Sequence, residues 1–150
     1  MASNSEIIHG FMAAWNTLDI DAVMAHFTDD ASYANVPMGP PHIGKASIRE
    51  FIDGFMATTT EINFIVHHQV DDGQGVVMNE RTDILQMGEK RIELEVMGTF
   101  ELVDGKISAW RDYFDMGGFA GFLSFDGRLC SGLVPVFSLV MCSAISRLVG

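Results

Sequence analysis

The chain has 150 residues, the length of one domain, and a chain of this size buries roughly 70% of the surface that it exposes when unfolded. Hydrophobic residues make up 48% and charged residues 19%, a composition that excludes a disordered chain. The formal net charge is −11 and no Lys/Arg cluster could neutralise a row of phosphates, so nucleic acid is not an expected partner.

Three helices are predicted in the first third of the chain. Ser5 can cap a helix over residues 5–17, where apolar residues recur at spacings of three and four. Asp19 can cap a second, short helix, which is followed by an extended segment from Ala31 to Val36. A third helix is expected to begin after Gly44, and its apolar residues again keep helical spacing.

Four strands are predicted after the helices, because the apolar residues then alternate with a period of two. Each connection contains a glycine where a tight turn needs positive φ, so consecutive strands should pair antiparallel. Helices followed by strands are typical of the α+β class, with a pocket between the helices and one face of a curved sheet. The predicted strands are Glu61 to Val70, Gly75 to Leu85, Arg91 to Leu102 and Lys106 to Phe114.

Charged side chains lie on strand faces that are otherwise apolar. Strand alternation puts Arg81 and Asp83 on one face, roughly 7 Å apart at Cα, and puts Asp112 on a face with Trp110 and Phe114. If both faces look into the pocket, the arginine joins two carboxylates, of which one can donate a proton and the other accept one. A buried salt bridge without chemistry, or a pair that faces solvent, would give the same spacing.

A phenol and an amide precede the first proline-rich loop. Tyr33 and Asn35 are two residues apart, so in an extended segment they share a face and could orient a water molecule. The alternative is that they serve only a turn before Pro37.

No metal site or cofactor is predicted. His67 and His68 are adjacent, which in a regular strand puts them on opposite faces, and no histidine has a carboxylate or cysteine partner at ligand spacing. Cys130 and Cys142 form no CxxC pair, so we interpret them as free thiols. With no secretory signal at the N-terminus, the expected location is the cytoplasm.

Three segments of the sequence resemble the limonene-1,2-epoxide hydrolase family. They are Tyr33 to Pro37, Glu80 to Leu85 and Gly98 to Asp115, within a resemblance that spans residues 5–122. The resemblance implies a curved, mostly antiparallel mixed sheet with helices packed in its concavity, the cone of the nuclear transport factor 2 and ketosteroid isomerase superfamily. It also implies one-step hydrolysis of an epoxide to a vicinal diol, without metal, cofactor or covalent enzyme ester.

The same resemblance implies a role for each polar residue named above. Asp112 resembles the family's general base and Asp83 its general acid. Arg81 resembles the residue that links the two carboxylates. Tyr33 and Asn35 resemble the pair that holds the attacking water together with the base. An epoxide is strained, so one proton delivered to its oxygen and one removed from water suffice to open it.

The resemblance also implies an apolar pocket wall, which suggests a small hydrophobic epoxide, cyclic or terpene-like, as the partner of water. The alternative interpretation of these residues is ordinary core. The predicted substrate contacts are Trp110, Leu85, Leu94, Val96, Phe114, Phe119 and Met56.

Two other functions stay open from the sequence. One is an isomerase or a polyketide-cyclase-type proton-transfer enzyme, although a pair of aspartates linked by an arginine argues against it. The other is a non-enzymatic module that binds a small molecule, which would be favoured if the charged faces pointed to solvent.

The predicted domain division is a catalytic domain over residues 1–128 and an apolar helical tail over residues 129–150. Our first interpretation of the tail is a helix that is buried against a second subunit, which predicts a homodimer. The alternatives are packing over the protomer's own pocket mouth and, less favoured, contact with a membrane.

Overall fold

The computed structural model describes residues 2–117, in which three helices accompany one six-stranded sheet. The predicted α+β class is confirmed. The helices are α1 (Asn4–Trp15), α2 (Ile20–Met24) and α3 (Lys45–Met56). The strands are β1 (Phe27–Asn35), β2 (His42–Ile43), β3 (Glu61–Asp71), β4 (Val76–Met87), β5 (Lys90–Val103) and β6 (Lys106–Phe114).

The first two helices begin at side-chain caps. Asp19 caps α2 as predicted, by accepting from two backbone N–H groups of its first turn. The cap of α1 is Ser3, and the prediction of Ser5 is wrong. Ser3 has a glutamate three residues later, so Ser3 and Glu6 bond to each other's backbone N–H in a capping box, whereas Ser5 lies inside the helix. The helix also ends at Trp15, earlier than predicted.

The sheet has the strand order β2-β1-β6-β5-β4-β3. The three hairpins from β3 to β6 pair antiparallel, as predicted. The β5–β6 turn places Asp104 and Gly105 at φ values of 50° and 74°, the left-handed region that such two-residue turns require. Strand β1 starts before the predicted segment, at Phe27, and pairs parallel with β6, which makes the sheet mixed. The short strand β2 was not predicted.

A β-bulge in β3 changes the direction of one histidine. The pairing with β4 shifts between Val66 and His68, so the regular alternation is interrupted. His67 and His68 are both exposed, and they bond to Thr82 and Glu80 respectively. The expectation that these two histidines lie on opposite faces is therefore wrong.

The helices cover one face of the curved sheet, which we call the inner face, and the core lies between the two layers. Phe11 of α1 packs edge-on against Trp110 of β6, with ring centroids 5.1 Å apart. Phe51 of α3 packs against Tyr33 of β1 at 5.6 Å. All four of these side chains belong to the core or pack against it.

Several predictions concern residues outside the described range. They are the domain boundary between residues 128 and 129, the tail with its proposed dimer contact, and Phe119 as a substrate contact, and all of them stay predictions. Within residues 2–117, no helix combines the length and the apolar composition that crossing a bilayer requires.

Candidate active site

The sheet brings the charged residues of β4 and β6 together on the inner face. These strands are not neighbours, since β5 lies between them. Asn79 of β4, Gly98 of β5 and Asp112 of β6 form one row across the three strands, and Arg81 is the next inner-face residue of β4. The side chain of Arg81 therefore reaches Asp112 by crossing β5 at a residue that has no side chain.

Arg81 bridges two aspartates in a buried triad. Its Nε donates to Oδ1 of Asp83 at 2.7 Å, and its Nη2 donates to Oδ2 of Asp83 at 3.1 Å and to Oδ2 of Asp112 at 2.7 Å. The relative exposures of Arg81, Asp83 and Asp112 are 0%, 6% and 4%. The predicted Asp–Arg–Asp arrangement is present, and the interpretation in which these faces point to solvent is wrong.

Aromatic rings surround the guanidinium. Its central carbon lies 5.2 Å from the ring centroid of Phe64 and 6.0 Å from that of Trp110. Both distances are within the range of cation–π attraction, which is stronger where water is excluded. The cation is thus held by two carboxylates and two ring faces.

Trp110 has a polar contact that the sequence analysis did not assign. Its indole Nε1 donates to Oδ1 of Asp112 at 2.7 Å, and its ring is stacked on Tyr33 with centroids 4.1 Å apart. The side chain is only 1% exposed. Trp110 and Asp112 are two residues apart on one strand face, so the alternation that aligned them could have indicated this bond.

Tyr33 and Asn35 lie beside Asp112 because β1 runs parallel to β6. The register pairs Asn35 with Asp112 and Tyr33 with Trp110. The Tyr33 hydroxyl donates to Oδ1 of Asn35 at 3.1 Å, which leaves the amide Nδ2 of Asn35 as a donor. Burial raises the pKa of Tyr33 well above its ordinary value, and the charge of Asp112 adds to the rise, so the phenol keeps its proton.

Burial perturbs the titration of the whole triad. It raises the pKa of Asp83 from 3.8 to about 7; Arg81 opposes the rise, and the charges of Asp112 and Glu95 add to it. It also raises the pKa of Asp112, against the opposing effects of Arg81 and of the Trp110 hydrogen bond. Burial would by itself lower the pKa of Arg81, but the two carboxylates outweigh it, so the guanidinium stays charged.

Comparison with known proteins assigns the family. The model of the limonene-1,2-epoxide hydrolase catalytic domain matches residues 2–121. The chain is also 33% identical over 111 residues to epoxide hydrolase EphG of Mycobacterium tuberculosis (strain ATCC 25618 / H37Rv), an alignment covering 73% of this chain and 71% of that protein. The chain belongs to the limonene-1,2-epoxide hydrolase family. Its enzyme class is accordingly epoxide hydrolase.

Solved structures agree with this assignment. An LEH-like epoxide hydrolase of M. tuberculosis superposes with a TM-score of 0.69 at 26% identity, covering 97% of this chain and 94% of that one. A putative SnoaL-like polyketide cyclase from Shewanella denitrificans OS-217 gives a TM-score of 0.72 at 16% identity, covering 80% and 96% of the two chains. At that identity the second likeness shows the fold alone, which is the cone of the nuclear transport factor 2 and SnoaL-like proteins.

The described residues of the predicted pocket wall include the register partners of the triad on the neighbouring strand. Val96 is the β5 partner of Arg81 and Leu94 is the β5 partner of Asp83, and both are buried. Val96 in turn pairs with Phe114 of β6. The other described members of the predicted wall are Leu85, which is buried, and Met56, which is partly buried against the core.

Within residues 2–117, no three His, Cys, Asp or Glu side chains are arranged to hold a metal ion.

Proposed function

We propose that this epoxide hydrolase adds water to a hydrophobic epoxide, cyclic or terpene-like, in a single step without a covalent enzyme intermediate. Asp112 is the general base and Asp83 the general acid, and Arg81 links them. The observation that carries the proposal is the buried Asp83–Arg81–Asp112 bridge, with a contact of 2.7 Å from the guanidinium to each carboxylate. Two linked carboxylates with raised pKa values suit a reaction that needs one proton given and one taken.

The protonation states follow from the contacts of each carboxylate. Both oxygens of Asp112 accept a hydrogen bond, from two different residues, and such bonds favour the ionised form. Asp83 also accepts on both oxygens, but within residues 2–117 its only donor is Arg81, and the charges of Asp112 and Glu95 repel its own. A proton shared by the pair therefore resides on Asp83, which leaves Asp112 free to act as base.

In the proposed reaction, every bond and proton is accounted for by water, the epoxide and the triad. Water held by Asn35, Tyr33 and Asp112 loses a proton to Asp112 while its oxygen forms a bond to an epoxide carbon. The bond from that carbon to the epoxide oxygen breaks, and this oxygen takes the proton of Asp83. The product is a vicinal diol, and one proton has moved from Asp83 to Asp112. Returning that proton to Asp83 restores the starting state.

The apolar residues beside the triad support the proposed substrate class. Leu94 and Val96 of β5 are the register partners of Asp83 and Arg81, and Leu85 is the next inner-face residue of β4 after Asp83. A substrate that contacts these side chains would present hydrocarbon to them and its epoxide to the carboxylates. A charged substrate would instead lose its hydration without gaining a partner.

The triad argues against two alternatives from the sequence, a ketone isomerase and a binding module, while a polyketide-cyclase-type enzyme stays an alternative because SnoaL-like cyclases share the fold. A ketone isomerase needs one lone base and an oxyanion donor, whereas the two carboxylates here are joined by one cation. A binding module without catalysis was favoured only if the charged faces pointed to solvent, and they are at most 6% exposed.

The test is turnover of limonene oxide, cyclohexene oxide and styrene oxide in water enriched in oxygen-18, with mass spectrometry of the diol and of the protein after one turnover. We expect the label in the diol and none in the protein. Asp83→Asn and Asp112→Asn should each lower kcat at least about 100-fold, as expected for the loss of a general acid or base. Glu80→Gln is the matched control, because Glu80 lies on the same strand as Asp83 but is exposed on the other face. Label in the protein, or activity retained in either asparagine variant, would refute the mechanism.

A further inference from the structure

A buried amide contacts the arginine of the triad from the side away from the carboxylates. Asn79 is 1% exposed, and its Oδ1 accepts a hydrogen bond of 3.2 Å from Nη1 of Arg81. The two residues are neighbours on the inner face of β4. Asn79 has none of the catalytic roles described above.

The hydrogen bonds of the guanidinium divide between two edges. The edge formed by Nε and Nη2 makes all of the contacts with Asp83 and Asp112. Nη1, on the other edge, donates to Asn79. Without this acceptor, Nη1 would be a buried donor with no hydrogen-bond partner among residues 2–117, which is unfavourable, and Nε and Nη2 alone would fix the orientation of the guanidinium.

A chain of amides orients Asn79. Its Nδ2 donates to Oε1 of Gln69 in β3 at 3.4 Å. The Nε2 of Gln69 donates to the backbone oxygen and to Oγ of Ser5 in α1, at 3.0 and 2.7 Å. Because Arg81 can only donate, the oxygen of Asn79 must face it, and the amide nitrogen must face Gln69. The first turn of α1 is thereby connected to the catalytic arginine through two side chains.

We propose that Asn79 is a positioning residue for the hydrolysis, acting by holding Arg81 in the orientation that joins Asp83 to Asp112. This inference rests on the proposed function, since it assumes that the bridge is the catalytic group. Gln69 contributes to this positioning through Asn79, because its Oε1 accepts from the amide nitrogen and so keeps the amide oxygen toward the guanidinium.

The test compares Asn79→Ala with Asn79→Asp. Asn79→Ala removes the acceptor, so we expect kcat to fall roughly 10- to 100-fold with KM within a few-fold of wild type, because misplacement of reacting groups by about 1 Å has effects of that size. Asn79→Asp keeps an acceptor oxygen toward Arg81, but its second oxygen cannot donate to Gln69, whose amide nitrogen is held by Ser5. We expect this variant to recover part of kcat relative to Asn79→Ala.

The pH profile distinguishes positioning from a purely structural role. The charged groups that influence Asp83 are Arg81, Asp112 and Glu95, and Arg81 holds the pKa of Asp83 down. If Asn79 positions the guanidinium, its loss in Asn79→Ala weakens this effect of Arg81, so the alkaline limb of kcat should move to higher pH in that variant. A residue that only filled space would give no such shift, and Asn79→Asp would then be at least as impaired as Asn79→Ala.

Controls keep the outcomes distinguishable. Asn63→Ala removes another amide that connects β3 to α1, through Asn16 at 3.5 Å, and should leave kcat and the pH profile unchanged. Gln69→Ala should reproduce the Asn79→Ala effect in weaker form, and it provides the measurement if Asn79→Ala does not fold. Wild-type kcat and pH profile in both Asn79→Ala and Gln69→Ala would overturn the inference while the Asp83→Asn and Asp112→Asn variants are inactive. Activity in those two aspartate variants would refute the proposed function itself.

Discussion

Gly98 is the residue over which the arginine crosses β5, and Gly98→Ala tests whether that crossing is required. A Cβ atom at this position would lie 2.8 Å from Oδ1 of Asn79 and 2.9 Å from Cε2 of Phe100, and it would collide with Nη1 of Arg81. These three side chains are at most 1% exposed. None can move outward cheaply, because Arg81 is held by four hydrogen bonds and Phe100 lies in the core.

We expect Gly98→Ala to lower both the thermal stability and the catalytic rate. Inserting a methyl group into a packed interior costs about 1–3 kcal/mol, which for a chain of this length lowers Tm by roughly 2–10 °C. Relief of the collision also displaces the guanidinium by an amount on the order of 1 Å, for which a loss of about 100-fold in kcat/KM is expected. Thermal unfolding and initial rates on limonene oxide measure the two effects on the same preparation.

Gly10→Ala is the matched control, since a Cβ there would lie 3.7 Å from the His26 ring, an ordinary contact. Gly10 is in α1, where alanine is favoured over glycine by about 0.5–1 kcal/mol, so this variant should be at least as stable as wild type and equally active. If Gly98→Ala showed wild-type Tm and kcat/KM, the arginine would not need to pass over residue 98, and the geometric argument would be refuted.

Three further predictions concern the triad and its neighbours. Above a pH of about 7 the rate should fall as Asp83 loses its proton. Because folding raises the pKa of Asp83, the stability that this group contributes is full below its unfolded pKa of 3.8. That stability should be lost as the pH rises through the folded pKa of about 7. Urea unfolding between about pH 5 and pH 8 checks this, because Asp83→Asn should flatten that dependence. Arg81→Lys should lower kcat by about 100-fold or more and lower Tm, since a single ammonium cannot reproduce the fork that bonds both carboxylates, and near-wild-type kinetics would contradict this. Tyr33→Phe should reduce kcat roughly 10-fold with little change in Tm, because the stacking on Trp110 remains while the bond to Asn35 is lost; an unchanged kcat would exclude the hydroxyl from the reaction.

Sequence periodicity predicted the parts of this fold that depend on local pattern. Alternation in two strands put Arg81 with Asp83 and Asp112 with Trp110, and the glycine-containing turns indicated the hairpins that connect these strands. The antiparallel register then brings the two faces to the same side. The central part of the site could therefore be predicted from the sequence, because it follows from the period of two along a strand.

Features that depend on distant pairing or on local irregularity could not be predicted from periodicity. The parallel pairing of β1 with β6, which sets Asn35 beside Asp112, joins segments that are far apart in the chain. The bulge at His67 leaves no clear mark on the pattern of residue types. Gly98 adopts ordinary strand geometry, so its conformation does not mark it as important. It matters because the side chain of Arg81 crosses β5 at this residue. Strand alternation puts Asn79 on the same face as Arg81, but an isolated amide gives no signal until its partners are known.

Burial makes the fully ionised triad unfavourable, and the same burial serves the proposed mechanism. With both carboxylates ionised, Asp83, Arg81 and Asp112 carry a net charge of −1 in a site that is almost inaccessible to water, which is unfavourable. Uptake of one proton removes that net charge, and this is the reason that a carboxyl group can hold a proton near neutral pH. In the proposed mechanism the proton passes from Asp83 to Asp112 by way of substrate and water, so the net charge of the triad stays constant. The surrounding dipoles then need little rearrangement as the reaction proceeds, which is the condition under which a preorganised site lowers a barrier most.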